Sequence, residues 1–425
     1  MKNKRIRKTR STVFGQDIGS RRHRPDYALG IISLVLLAIG LVVVYAMSPG
    51  LSTLAQVADT HFIYRQMIAI GLAFVSFIVF SRLPFTFWRS LVRPLIAVTV
   101  LTLLATQFIG SGEASAARWV QIGGLSFQSV ELLKFTLIIW LSGFLATRQR
   151  NRELNDIQKT LKPIAIVLLV TGFIVAVLQS DLGSMGVVAA IIVAMLFVAG
   201  LSFRWMAVGL AGVVIGGLVL IASSPYRQER VATFLNPQSD CLEEGYQACQ
   251  ALIAVGSGGL FGKGIDQSAQ AYGYLPEAAN DSIFAVLAEM FGFLGVVVVI
   301  GLFIALFTRM VRVIERAPNT ESRLIVVGIL AWLSTQAFIN IMAMVGLFPL
   351  KGITLPFISY GGTSLIFVTA AVGLVFNISR YTTYSVHDDM LSKRFLGKRK
   401  ERMSENSTQR RRYGRTHYSH SLHRS

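Results

Sequence analysis

The chain has 425 residues, 53% of them hydrophobic and only 15% charged, with a mean hydropathy of +0.57. A soluble domain of that length carries more charge, so this composition excludes one and points to an integral membrane protein. The net charge of +19 does not signal nucleic acid, because no recognition motif or aromatic-interleaved basic patch goes with it.

In chain order, residues 1–26 read as a basic arm carrying Lys2, Lys4, Arg5, Arg7, Lys8, Arg10, Arg21, Arg22 and Arg24. Residues 27–380 read as a polytopic membrane domain, and 381–425 as a basic tail expected to be disordered. A membrane span needs about 20 mostly apolar residues. That ruler finds ten: 28–48, 63–81, 91–109, 130–147, 163–179, 183–201, 204–223, 282–308, 323–347 and 359–379. The fifth and sixth divide at Gln179-Ser180-Asp181-Leu182-Gly183, since an unpaired Asp deep in lipid is costly. The first run is long enough to span and reads as an anchor rather than a cleaved signal.

Alternate connections are basic: Arg82 and Arg89, then Arg148, Arg150, Arg152, Lys159 and Lys162, then Arg309, Arg312, Arg316 and Arg323. By the positive-inside rule both termini are expected in the cytoplasm, and ten spans, an even number, agree. The expected fold is therefore all-α, with about ten transmembrane helices and one long extracytoplasmic loop, about 225–281.

That loop is too long for a plain connector. It mixes Arg230, Phe234, Pro237, Tyr246, Gln247 and Gln250 with apolar residues, and Ala251 to Val255 suggests a short helix lying on the membrane. The run Gly256-Ser257-Gly258-Gly259-Leu260-Phe261-Gly262-Lys263-Gly264 is not a P-loop. That motif needs Gly where Ser257 stands and Ser or Thr where Gly264 stands; a tight, flexible turn is expected instead. Both cysteines, Cys241 and Cys249, lie in this loop. An oxidising location admits a disulfide around Glu243 and Glu244; two free neighbouring thiols are the alternative.

The loop ends on Tyr274-Leu275-Pro276-Glu277-Ala278-Ala279-Asn280-Asp281-Ser282, directly before the apolar run Ile283 to Phe303. Asn280, Asp281 and Ser282 are all favoured helix caps. Capping needs only one of them, and an Asp pKa that rises beside lipid suits a general base. Glu277 is placed to orient a hydroxyl, to bind a cation with Asp281, or simply to face water. Glu289 falls roughly 12 Å into the next span and should be protonated or paired. Glu131 and Lys134, three apart, are expected to pair structurally along one helix face. Arg118, before Trp119, suits a phosphate or snorkels at the interface. The last outer connection, Phe348 to Ser364, holds two prolines, three glycines and Lys351. Lys351 and Arg118 together make a candidate diphosphate clamp.

In order along 27–380, several segments resemble the SEDS family (shape, elongation, division and sporulation). They are Ala117-Arg118-Trp119, Gln128 to Lys134, Gln179 to Gly183, Tyr246-Gln247 with Gln250-Ala251, Leu275 to Glu289, and Lys351 to Ser364. Leu275-Pro276-Glu277-Ala278 and Lys351-Gly352 before Thr354-Leu355-Pro356 are spelled like the division branch rather than the elongation branch. Ser129 and Ser180 stand where Pro is usual, and Met290 where a second Glu often follows Glu289.

The resemblance implies a peptidoglycan glycosyltransferase that polymerises lipid II at the outer face of the cytoplasmic membrane, at the division septum. Asp281 matches the family's catalytic aspartate. The expected substrate contacts are Arg118, Glu277, Lys351, Ser359 and Gln250, while Glu131, Lys134, Asp181 and Glu289 are expected to be structural. Undecaprenyl-diphosphate-linked glycan is the implied donor, a class B penicillin-binding protein the implied partner, and other division proteins follow from the same resemblance. A divalent cation, magnesium or manganese, would be weakly held, because the chain carries no conventional metal cluster. The rival readings are a flippase or transporter of lipid-linked precursors and a division scaffold. Against the first, polar groups gather on one face rather than at the midplane, and no inverted repeat is visible.

Overall fold

The computed structural model describes residues 20–22, 24–83, 85–109, 119–122, 125–236, 241–243, 245–350 and 352–383. The basic arm up to 19, the tail from 384, Arg118, Glu244 and Lys351 lie outside the described residues.

The helices in order are α1 (Tyr27–Ala55), α2 (His61–Arg82), α3 (Phe85–Ser90), α4 (Val92–Ile109) and α5 (Ser129–Arg150). Then come α6 (Ile157–Leu178), α7 (Leu182–Ala199), α8 (Phe203–Ala222), α9 (Pro225–Leu235) and α10 (Tyr246–Ser257). The series closes with α11 (Ile283–Arg316), α12 (Thr320–Met344) and α13 (Gly362–Ile378). Among the described residues eight helices are long and apolar enough to cross a membrane: α1, α2, α5, α6, α7, α8, α11 and α12. The stretches Val92–Thr106 and Gly362–Ile378 are apolar but shorter. Each expected span overlaps one of these ten, though α1 and α11 run well beyond theirs.

The centre of the bundle is α12, which packs on α7, α5 and α11, while α13 lies along α2. In contrast, α8 buries none of its residues. An apolar helix with so little protein cover is what lipid, rather than a core, stabilises. Ser20–Arg22 (β1) pairs antiparallel with Tyr381–Thr383 (β4), and Trp119–Ile122 (β2) with Leu125–Gln128 (β3).

Buried polar groups tie the helices together. Asp181 caps α7 through the Ser184 amide at 2.9 Å, which explains the break between the fifth and sixth spans. Lys134 Nζ donates to Glu131 at 2.7 Å and to Gln336 Oε1 on α12 at 2.9 Å, and lies over the Trp332 ring. Gln336 in turn donates to the Thr354 carbonyl at 3.1 Å. Low-dielectric surroundings make such bonds costly to break, so α5, α12 and the segment after Gly352 are held as a unit.

The long loop is built, not loose. Its α10 begins five residues before the expected short helix and packs on α11 instead of lying apart on the membrane. The glycine run is docked rather than flexible. Helix α11 is broken at Gly292 (φ 64°, ψ −165°), a left-handed region that glycine enters freely. Around the break the amides of Lys263 and Gly264 meet the carbonyls of Glu289 and Met290 at 2.9 and 3.0 Å. Phe293 N donates to Gly259 O at 2.9 Å and Leu294 N to Leu260 O at 3.2 Å. A Cβ on Gly262 would collide with the Met290 carbonyl; only glycine permits this approach. The loop thus satisfies backbone groups that the break would leave bare.

Candidate active site

The acids read from the sequence separate into one strained turn and one buried brace. Glu277 holds a left-handed backbone (φ 50°), and the amides of Asn280 and Ser282 fold back onto its carbonyl at 3.0 and 3.2 Å. The carbonyls of Ala279, Asn280 and Asp281 are each caught by a donor from another element. Tyr360 N donates to Ala279 O at 2.8 Å, Ser359 Oγ to Asn280 O at 2.5 Å, and Asn340 Nδ2 to Asp281 O at 2.7 Å. Asn340 Nδ2 also donates to Ile353 O at 2.7 Å. The backbone that carries Asp281 is therefore pinned between α12 and the segment 352–360.

Its side chain is not used as a cap. Ser282 precedes the first turn of α11 without a side-chain cap bond, and Asp281 Oδ1 meets no hydrogen-bond donor among the described residues. Asp281 is only 9% exposed. Burial, and secondarily the Glu277 charge, push its pKa up to about 7, against the pull of its own and the Ser282 amides and of Arg230. A carboxyl so tuned exchanges protons near neutrality, as a general base must.

One cavity is lined by Asp281 itself, and a second lies next to the first. The first, of about 10 Å³, lies between Asp281, Asn340 and Ile353. The other, about 70 Å³, is lined by Arg230, Gln247, Phe234, Leu252, Phe348 and Leu350, and the two share Ala343. Gln247 Nε2 donates to Ser282 Oγ at 3.1 Å, linking the larger cavity to the acid's neighbour. Arg230 lies over the Tyr226 ring, donates to Leu350 O at 3.2 Å, and bears electrostatically on Asp281.

The remaining expected site residues take other places. Ser359 is 5% exposed and engaged twice, donating to Asn280 O and accepting from Leu355 N at 2.7 Å. Both bonds brace the turn that carries Asp281. Gln250 accepts from Gln270 Nε2 at 2.8 Å, within the long loop. Glu277 is exposed and accepts from Asn280 Nδ2. Glu289, 1% exposed, pairs with Lys263 Nζ at 2.8 Å and accepts from Ser268 Oγ at 2.6 Å and Gln270 N at 3.1 Å. Cys241 and Cys249 form a disulfide that anchors the start of α10. Among the described residues no three His, Cys, Asp or Glu side chains gather to hold a metal ion.

Arg230, Asn340, Gln336 and Lys263 carry parts that the sequence left unassigned. Gln336 and Asn340 did offer a signal: two polar side chains one turn apart inside a span are costly unless they bond across helices.

The fold and site define a polytopic membrane protein with a buried carboxyl at the end of a span. The chain belongs to the FtsW/RodA/SpoVE family of cell cycle proteins, whose model matches residues 27–384. It is 36% identical to the stage V sporulation protein E of Bacillus subtilis over 86% of this chain and 100% of the relative. It is 38% identical to the probable peptidoglycan glycosyltransferase FtsW of Coxiella burnetii, over 84% and 96% of the two chains. Among solved structures it matches one from a peptidoglycan synthase complex that coordinates polymerization and crosslinking (TM-score 0.69, 29% identity, 84% and 98% covered). It also matches the rod shape determining protein RodA of Thermus thermophilus (TM-score 0.61, 28% identity, 84% and 97% covered).

Proposed function

We propose that this protein is a peptidoglycan glycosyltransferase that extends glycan strands from lipid II, with Asp281 as general base. The observation that carries this reading is the Asp281 carboxyl. It is buried, tuned to about 7, free of a donor at Oδ1, and fixed at the end of a membrane helix on the wall of a small cavity that shares Ala343 with a larger one.

In the reaction Asp281 takes the proton of the acceptor's 4-hydroxyl as that oxygen bonds to the donor's anomeric carbon. The bond from that carbon to the undecaprenyl diphosphate breaks, and the diphosphate leaves with the electron pair. Charge growing on the leaving group needs preorganised cations. Arg230, on the wall of the larger cavity, supplies one; Arg118 and Lys351 are proposed as others. A magnesium or manganese ion would arrive carried by the diphosphate, weakly held, and would stabilise the same leaving charge. The exposed apolar face of α8 and the location of the acid at a helix end suit a substrate whose lipid tail stays in the bilayer.

We further assign the site to the outer face of the cytoplasmic membrane, with both termini inside, and the enzyme to septal synthesis beside a class B penicillin-binding protein. The test is purified protein, with and without that partner, given lipid II and scored for glycan chains. Asp281→Asn should insert and fold normally yet lose polymerisation by 10²-fold or more, on the order expected for a general base. Wild-type rates should fall about tenfold per pH unit below 7. Unchanged product from Asp281→Asn would remove the base assignment.

A further inference from the structure

Asn340 does more than hold a backbone. Its amide nitrogen is saturated by two carbonyls, Asp281 O and Ile353 O, which fixes the orientation of the side chain. Its Oδ1 is thereby turned away from them, and meets no donor. The residue is 2% exposed. Asp281 Oδ1 is in the same condition, and both residues line the cavity of about 10 Å³, whose other walls are Ile339, Ala343, Met344, Gly352 and Ile353.

Two buried acceptors without donors would each cost about 1–3 kcal/mol. Neither can serve the other, since an ionised carboxylate and an amide oxygen both only accept. One species with two protons to give satisfies both. The size of the cavity decides which: about 10 Å³ admits a single water and no sugar ring.

We propose that Asn340 is a positioning residue for Asp281, holding through its Oδ1 a water molecule that donates its second hydrogen bond to Asp281 Oδ1. This rests on the assignment of Asp281 as the base. The water favours the ionised carboxylate and fixes its rotamer, so the acceptor sugar approaches from the larger cavity, where Arg230 and Gln247 lie. The charged groups bearing on the carboxyl among the described residues are Glu277 on its own turn and Arg230 on α9. From α12 it faces Asn340, Ile339, Ala343 and Met344, and from the last outer segment Gly352 and Ile353, none of which titrates.

The test is the pH profile of lipid II polymerisation by the full chain with its partner. Ala343→Val fills the cavity and leaves both Asn340 amide bonds in place. Loss of the water should move its acid limb, normalised to the variant's own high-pH plateau, upward by about one pH unit, about a further tenfold loss at pH 6. Asn340→Ala, which removes the acceptor but leaves room, should shift the limb in the same direction and also lower the plateau. Unshifted limbs in the folded variants, with a wild-type limb near 7 and an inactive Asp281→Asn, would overturn this role alone. A wild type without that limb would overturn the base assignment instead. Should Asn340→Ala not fold, Ala343→Val decides by itself.

Discussion

Asp281 sets stability against chemistry. Its carboxyl titrates near 7 in the folded protein, against an ordinary value of 3.8. Below pH 3.8 folded and unfolded forms both hold the proton and the full stability is present. Between 3.8 and 7 the unfolded chain binds fewer protons, so stability falls as pH rises, and the loss is complete above 7. At 1.36 kcal/mol per unit the ionised carboxylate costs on the order of 4 kcal/mol. Asp281→Asn should therefore melt higher than wild type at pH 8 and nearly alike at pH 4, measured by thermal unfolding in detergent. A lower melting temperature at pH 8 would contradict the strain assigned to the charge. The sequence showed where this acid lies, because an apolar run begins two residues later. It left the choice among three adjacent capping residues open, since only the partners of each carbonyl reveal that none of their side chains caps α11. Arg230 was visible as a charge in the long loop, but its reach to Asp281 depends on α9 folding back beneath Leu350.

At the level of elements, the site depends on how the long loop fastens to α11. The glycine run lends the amides of Lys263 and Gly264 and the carbonyls of Gly259 and Leu260 to the break at Gly292, and Glu289 receives Lys263, Ser268 and Gln270 on one carboxylate. Asp281 lies only two residues before α11, so the register of that helix fixes the acid. Lys263→Ala leaves a 1% exposed carboxylate without its cation. Lys263 is itself 36% exposed and Glu289 keeps the Ser268 and Gln270 donors, so the loss is smaller than for a fully buried pair, on the order of 1–2 kcal/mol. The variant should lose that much stability and show faster amide exchange through Gly256 to Gly264. Exchange confined to wild-type rates would mean that the ion pair does not hold the loop. The depth of Glu289 was enough to demand a partner; which cation answers could not be read, because Lys263 is 26 residues away and joins it only through the break. The helical spans were legible for the opposite reason. Their signal is local composition, and it needs no knowledge of what packs where.

Over the whole molecule, charge and chemistry sort to opposite ends. Three ion pairs, Arg89 with Glu321, Arg309 with Asp26, and Arg148 with Glu153, involve the basic connections after α2, α5 and α11 and the entry to α1. Exposed pairs of this kind contribute little energy; what they share is an end of the bundle, the one a positive-inside arrangement assigns to the cytoplasm. The turn of Glu277 and Asp281, the disulfide and the glycine run belong to the other end. A substrate linked to lipid diphosphate can be joined to wall outside the cell only if that second end faces outward, so orientation is the condition on which the proposed chemistry stands. Single cysteines read it directly, because the native pair is already bonded. Tyr274→Cys, at a 60% exposed position before the acidic turn, should react with a membrane-impermeant maleimide in intact cells. Asn151→Cys, exposed between α5 and α6, should react only after permeabilisation. The reverse pattern would put Asp281 in the cytosol, away from any growing wall, and the glycosyl-transfer reading would fall with it.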